Sequence, residues 1–306
     1  MSKVQVKVGS LTFKNPILLA SGTCGNGKEI NKFYNINILG GFVTKSITIN
    51  PREGNPNPRI WESYAGILNS IGLENAGLDK FLEEEIPFLE KLNTNVIVSI
   101  AGEKKEEYYE IARVLRECKI SGIEINLSCP NVEGGGMLFG IDSEMVKEIT
   151  KNVVNIVDKP VWVKLTPQAK DIIGVAKAVR SAGGEAVVVF NTFLGLAIDW
   201  KKREPVFKRI FAGYSGPAIK PIVLRYVWEL YEENILPIVG CGGIVNFTDV
   251  LEYIFAGASL VQIGSANFRD PWIGEKIVKE VQNYFKEEKV VDLIGIAHKN
   301  HEEVDK

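Results

Sequence analysis

Gly122-Ile123-Glu124-Ile125-Asn126-Leu127-Ser128-Cys129-Pro130-Asn131 runs from a short apolar strand straight into a loop that carries an amide, a hydroxyl and a thiol, and Gly134-Gly135-Gly136 follow. Loops at strand ends carry most of the chemistry in α/β barrels, so this is a place for a proton-transfer group beside a planar ligand. A lone cysteine is more often a small buried hydrophobe than a base, and the stretch alone leaves both readings open. The unit recurs along the chain. Apolar or β-branched runs stand at Ile17–Ala20, Gly41–Thr44, Val96–Ile100, Gly122–Ile125, Pro160–Leu165, Glu185–Phe190, Leu236–Gly240 and Ser259–Ile263. Helical patterns separate several of them, at Leu78–Leu92, Glu106–Cys118, Ser143–Val157, Asp171–Ala182 and Ala218–Glu233. Strands alternating with helices imply βαβ units and a parallel sheet. Eight of them within about 250 residues fit a closed (β/α)₈ TIM barrel better than an open doubly wound sheet. Val4–Phe13 alternates enough to form a short N-terminal β-hairpin that plugs or flanks the barrel floor. No linker, low-complexity tract or repeat divides the chain, so residues 1–306 are expected to be one domain, with a charged tail from about Glu287 that frays.

Composition narrows the chemistry. Over 306 residues, 45% are hydrophobic and 24% charged, values ordinary for a globular protein. A formal charge of −2 gives no electrostatic reason to expect nucleic acid or an anionic membrane as partner. No apolar run approaches the roughly 20 residues needed to span a bilayer. Met1-Ser2-Lys3-Val4-Gln5 lacks the apolar core of a signal peptide, so a cytoplasmic location is expected. Cys24, Cys118, Cys129 and Cys241 are scattered without a CxxC pair, which argues against a metal or iron–sulfur site within this chain and against a secreted disulfide framework. The only histidines, His298 and His301, lie in the charged tail. A Ser-His-Asp triad, a Cys-His pair or a histidine metal centre in the body of the fold is thereby excluded. Acid–base work falls to Cys, Lys, Ser, Thr, Tyr or a carboxylate.

The residues at the strand ends read Ser21-Gly22-Thr23, Lys45-Ser46, Ser99, Asn126, Lys164, Asn191-Thr192, Gly242-Gly243 and Gly264-Ser265. Serines and glycines there are ordinary, because loops begin at strand ends. Two lysines directly after apolar strands are less so, since each needs a partner or a function. Gly240-Cys241-Gly242-Gly243 after the seventh strand and Gly264-Ser265-Ala266 after the eighth suggest a phosphate site, the common use of those two loops in such barrels. Glycine lets the backbone approach the oxygens closely. Neither GxxxxGK[ST] nor GxGxxG after a strand occurs, which argues against ATP and a Rossmann-bound dinucleotide.

These motifs together resemble the class 1 dihydroorotate dehydrogenases, and more closely the catalytic subunit of the NAD-linked class 1B type. The resemblance covers almost the whole chain. It rests on Asn15-Pro16, Ser21-Gly22-Thr23, Thr44-Lys45-Ser46-Ile47-Thr48, Asn69-Ser70-Ile71-Gly72-Leu73-Glu74-Asn75 and Asn126 to Asn131. It continues through Val163-Lys164-Leu165-Thr166-Pro167, Asn191-Thr192, Ser215-Gly216-Pro217-Ala218-Ile219-Lys220-Pro221, Gly242-Gly243-Ile244 and Val261-Gln262-Ile263-Gly264. The family implies FMN-dependent oxidation of (S)-dihydroorotate to orotate in pyrimidine biosynthesis. Cys129 would be the base that takes the C5 proton while a hydride leaves C6 for the flavin. Its thiol, with an ordinary pKa of about 8.5, implies activity that rises with pH. A cysteine here, rather than the serine of the membrane-linked class 2 enzymes, points to class 1.

Lys164 would stabilise the reduced flavin at its electron-rich edge. Lys45 would face both flavin and substrate and supply a cation for the orotate carboxylate. Asn69, Asn126, Asn191 and Thr192 would bond the substrate's carboxylate and ring amides, with backbone from Ser70, Ile71, Gly72 and Leu73 completing the pocket. Asn126 also falls among the FMN contacts, with Ser21, Ser46, Ser99, Phe190 and Gly216, while Gly242, Gly243, Gly264 and Ser265 would hold its phosphate.

Four positions depart from the family pattern: Ser99 stands for an expected asparagine, Phe190 for a smaller aliphatic, and Cys24 and Asn26 for aromatics. The subclass rests on Val132-Glu133-Gly134-Gly135-Gly136 and Phe139-Gly140, similar to the 1B loop and unlike the proline- and lysine-containing loop of the fumarate-linked 1A type. The chain encodes neither an FAD fold nor a cysteine cluster. The resemblance therefore implies a partner subunit carrying FAD and a [2Fe–2S] cluster, with this chain as the homodimeric core of a heterotetramer. Asn131–Phe139 is the expected lid over the substrate. Alternatives at this stage are a flavin barrel acting on another dihydropyrimidine, the 1A type, a flavin-free phosphate-binding isomerase or lyase using Lys45 or Lys164, and a silent flavin-storing scaffold.

Overall fold

Uninterrupted β-branched runs need apolar cover on both faces, and a barrel filled from inside and wrapped in helices supplies it. The computed structural model describes residues 2–127 and 136–299, with residues 136–138 by their backbone only. Its eight parallel strands are β1 (Ile17–Leu19), β2 (Gly41–Val43), β3 (Asn95–Ile100), β4 (Gly122–Asn126), β5 (Val161–Lys164), β6 (Ala186–Val189), β7 (Ile238–Cys241) and β8 (Leu260–Ile263). They close in sequence order, and β8 completes the ring by pairing Val261, Gln262 and Ile263 with Ile17, Leu18 and Leu19. All eight stand within two residues of the bounds read from the sequence.

The helices follow the same logic. Ser143–Ile156 starts where the Asp142 side chain accepts from Glu144 N and Met145 N, and Ile172–Ser181 where Asp171 accepts from Gly174 N. The segment from Leu78 to Leu89 widens into a π turn at Phe81–Glu85, just ahead of Pro87, which has no N–H to give the preceding turn. Phe247–Ala256 and Ile273–Tyr284 are helices that the sequence patterns left unmarked. The first is so apolar over its ten residues that its period is obscured, although Asn246 and Asp249 cap it reciprocally.

The hairpin Val6–Val8 and Leu11–Phe13 sits at the amino-terminal end of the barrel. Ser10 N donates to the Glu185 carboxylate at 2.5 Å, just before β6, and Asn95 Nδ2 donates to Thr12 O at 3.0 Å, at the start of β3. Val6, Val8 and Phe13 are buried, and the Phe13 ring stands 5.7 Å from that of Trp162 in β5. Full burial of one such side chain is worth roughly 1.5–3 kcal/mol, so the hairpin is a floor.

Two features differ from the sequence expectation. The segment from Glu287 is docked, not loose, as far as residue 299. Val290 is buried, its N–H donates to Lys3 O, Lys3 Nζ donates to Glu287 O at 2.8 Å, and His298 stacks on Trp228. Charge had suggested fraying, but a buried valine, two hydrogen bonds and a ring stack hold it in place. Second, an antiparallel sheet spans the carboxy-terminal end of the barrel, in the order Phe193–Leu196, Phe211–Ser215, Gly66–Asn69, Ile60–Ser63. Its strands come from the loops after β2 and β6, and a small separate core of Leu68, Ala197, Phe207 and Ala212 holds it together.

Candidate active site

Between that sheet and the carboxy-terminal ends of the strands lies an open cavity of about 1290 Å³, solvent space at its mouth included. Two lysines, Lys45 and Lys164, line it, and no carboxylate does so among the described residues. Such a wall favours an anionic ligand.

The polar wall is organised before any ligand arrives. Asn126, the last residue of β4, donates from Nδ2 to Ser46 Oγ at 3.1 Å, and its Oδ1 accepts from Asn191 Nδ2 at 3.2 Å. Asn191 Oδ1 in turn accepts from Thr192 N at 2.8 Å, and Asn69 Nδ2 donates to Gly213 O at 3.0 Å. Ser46 Oγ lies 2.7 Å from Ser99 Oγ and 3.4 Å from Ser21 Oγ. Amides fixed in this way present the remainder of their donors and acceptors in set directions.

Most residues singled out in the sequence share this cavity. Ser21, Lys45, Ser46, Asn69, Ile71, Gly72, Leu73, Asn126, Lys164, Phe190, Asn191, Thr192, Gly216, Gly242, Gly243, Gly264 and Ser265 all line it. Two do not. Ser99 is fully buried behind Ser46 and reaches the wall only through that hydroxyl. Ser70 is buried too, its hydroxyl accepting from Asn55 Nδ2 at 2.9 Å. Ser99 sits where the strand aims its side chain away from the opening, which spacing alone does not reveal, whereas Ser70 was expected to contribute backbone only. Phe190 packs edge-on against Tyr226 and Phe193, with centroids at 4.9 and 6.1 Å.

The glycines divide by physical cause. Gly242 and Gly243 have φ of +150° and +71°, and a Cβ on Gly243 would meet Lys220 N at 2.9 Å, so the backbone itself requires glycine. Gly264 has no such constraint: a Cβ there would meet only Ala20 Cβ, at 3.8 Å. Its missing side chain leaves open space on the cavity wall, at the end of β8.

Cys129 lies outside the described residues, as do Val132 to Gly135 and most of the expected lid; within that lid, Phe139 stacks edge-on with Tyr108 at 6.3 Å. The other thiols are unsuited to act as bases. Cys24 is buried, bonded to Val43 O, and burial pushes its pKa up to about 12. Burial also raises Cys241, which touches the cavity, and Cys118 beyond the helix Lys105–Leu115. Among the described residues no cluster of His, Cys, Asp or Glu could hold a metal, and no helix is long and apolar enough to cross a membrane.

Sequence reasoning missed Glu124 and Gln262. Both are fully buried inside the barrel, and both contact Lys164: Nζ donates to Gln262 Oε1 at 3.0 Å and to Glu124 Oε1 at 3.4 Å. The available signal was a carboxylate and an amide inside otherwise apolar strands. Burial alone acts to lower the Lys164 pKa, but the Glu124 charge and the smaller effects of Cys241 and Cys24 outweigh it, so the ammonium is held above the ordinary lysine value.

Residues 3–285 match the family model for dihydroorotate dehydrogenase. The chain is 48% identical over 297 residues to the catalytic subunit of dihydroorotate dehydrogenase B (NAD(+)) of Desulforamulus reducens, covering 96% of this chain and 98% of that one. The same-named subunits of Alkaliphilus metalliredigens and a Thermoanaerobacter species are 44% and 47% identical, over 96% and 95% of this chain and 98% and 96% of theirs.

Proposed function

This chain belongs to the dihydroorotate dehydrogenase family, and on that premise we propose that it is the catalytic subunit of an NAD-linked enzyme that oxidises (S)-dihydroorotate to orotate in pyrimidine biosynthesis. The carrying observation is the meeting, in one cavity without carboxylates among its described residues, of Lys45 and three organised asparagines with the glycine-lined ends of β7 and β8.

The residues present fit FMN. The space a Cβ would fill at Gly264, beside Ser265 and the Gly242–Gly243 turn, suits a phosphate held by backbone N–H groups. Lys164 would supply a cation for the electron-rich edge of the ring, and Ser21, Ser46, Asn126, Phe190 and Gly216 would give it polar and apolar contacts. When bound, FMN supplies the two-electron acceptor for the hydride that leaves C6. Cys129 takes the proton from C5 as the C5–C6 double bond forms. It is three residues beyond Asn126, a span of at most roughly 11 Å of chain. Lys45 binds the substrate carboxylate, while Asn69, Asn126, Asn191 and Thr192 fix the ring with backbone from Ile71 to Leu73. That holds the ring in a fixed orientation for proton transfer.

The relatives are named as catalytic subunits, so a separate partner accepts the electrons; we assign it FAD and a [2Fe–2S] cluster, around a homodimeric core in a cytoplasmic heterotetramer. The test is an anaerobic titration of the purified chain with dihydroorotate. Stoichiometric bleaching of the visible flavin band with orotate appearing supports the reading. A yellow protein that fails to bleach sinks the substrate, and one that cannot take up FMN sinks the cofactor.

A further inference from the structure

TIM-barrel interiors are normally filled by layers of Val, Ile and Leu. Directly beneath this cavity the filling is instead a closed ring of three polar side chains. Glu124 comes from β4, Lys164 from the adjacent β5, and Gln262 from β8 across the lumen. Lys164 donates to both partners, and Gln262 Nε2 donates to Glu124 Oε2 at 2.7 Å. The amide orientation is dictated: reversed, it would set NH₂ against an ammonium and oxygen against a carboxylate. Glu124 and Gln262 have no exposed surface, whereas Lys164 lines the cavity.

Buried ion pairs are poor stabilisers, because desolvation offsets most of their attraction and apolar residues of similar size often serve the fold as well. The ring therefore calls for another explanation. We propose that Glu124 and Gln262 are positioning residues that hold the Lys164 side chain charged and fixed against the cavity, and that they thereby set the reduction potential of the flavin bound there. The proposal rests on the FMN reading above.

Among the described residues, the titratable groups acting most on Lys164 are Glu124, Cys241 and Cys24. Burial raises both thiols, so Glu124 is the counter-charge among them. Without it, a desolvated lysine gives up its proton readily. A neutral amine no longer balances the negative charge the ring gains on reduction.

The experiment is Glu124→Gln in the FMN-loaded chain, read by the midpoint potential and by ¹³C NMR titration of the lysine Cε signals, with the Lys164 signal assigned by its loss in Lys164→Gln. The expected result is at least about a tenfold weaker proton affinity at Lys164, with a potential lowered toward that of Lys164→Gln. Gln262→Leu, which keeps the carboxylate, is expected to lower the potential less and guards against a Glu124 variant that does not fold. An unmoved lysine titration, or a potential that stays or rises, overturns the proposal. A wild-type chain that takes up no FMN overturns the functional reading and the potential claim together, and the lysine titration then still decides the charge assignment.

Discussion

The two ends of the barrel are built from the same strands yet obey different rules. At the floor, the tilted rings of Phe13 and Trp162 pack together and Val6 and Val8 are buried, and burial of apolar surface is the main interaction. At the mouth, Lys164, Glu124, Gln262, Ser46, Ser99 and Asn126 are buried as well and are all polar. The floor gains stability from each buried ring. The mouth forgoes that gain and spends its contacts on fixing polar groups. Strand sequences therefore change character along their length: β5 passes from Trp162 to Lys164 within three residues.

The largest expected break in this comparison is at the mouth. Cys129→Ala should lower turnover by roughly 10²–10⁴-fold, the usual worth of a proton-transfer group, while leaving flavin binding and the unfolding midpoint in place. Stopped-flow reduction of the bound flavin and urea unfolding check both halves; retained turnover would remove Cys129 from its role. In the wild type, turnover should rise with pH through the thiol range near 8.5, as the thiolate forms.

The floor responds in the opposite currency. Trp162→Ala should cost about 3–5 kcal/mol in urea unfolding, as large-to-small changes in a packed core do. Trp162→Phe should cost much less, because the buried indole N–H has no partner among the described residues and nothing is lost with it. Equal costs would mean that this N–H is satisfied.

Two glycines sharpen the contrast further. Gly264→Val fills space open to the cavity, so FMN affinity should fall at least about tenfold with apoprotein stability nearly unchanged. Gly257→Ala does the reverse. Its φ is +118° and its Cβ would fall within the Tyr231 ring, so stability should drop by about 1–3 kcal/mol with FMN affinity retained. Isothermal titration with FMN and thermal melts on both variants decide it.

The smallest effect separates an inert thiol from the proposed base. Cys24 is held at about 12 in the fold, well above the ordinary thiol value, so folding favours its protonated form. Its contribution is whole below pH 9 and is lost as pH rises from 9 toward 12, where the unfolded chain ionises first. Cys24→Ala should flatten the decline of unfolding free energy over that range. An unchanged slope would show that other groups govern alkaline unfolding.

How much of this was legible before folding differs residue by residue. Lys45 and Lys164 stood out because a charge after an apolar strand has no cheap explanation. Gly242, Gly243 and Gly264 stood out by their place after the last two strands. Glu124 was passed over because its neighbours Ile123 and Ile125 made the run read as strand, and Gln262 likewise between Val261 and Ile263. Their meaning depends on a contact across the lumen, 138 residues apart for Gln262 and Glu124. Ser99 was assigned to the wall by motif, whereas side-chain direction places it behind Ser46.

By itself the sequence determined the eight strands, the closed parallel barrel, the floor hairpin and most of the strand-end residues that gather at the mouth. It could do so because hydrophobic period and strand-end chemistry are local and survive in one dimension. Only the tertiary structure decided that an antiparallel sheet closes over the cavity, that the charged tail docks through Val290 and His298, and that a carboxylate and an amide inside the barrel hold Lys164. Each of these depends on contacts between residues distant in the chain, where burial and pairing rather than local propensity set the outcome.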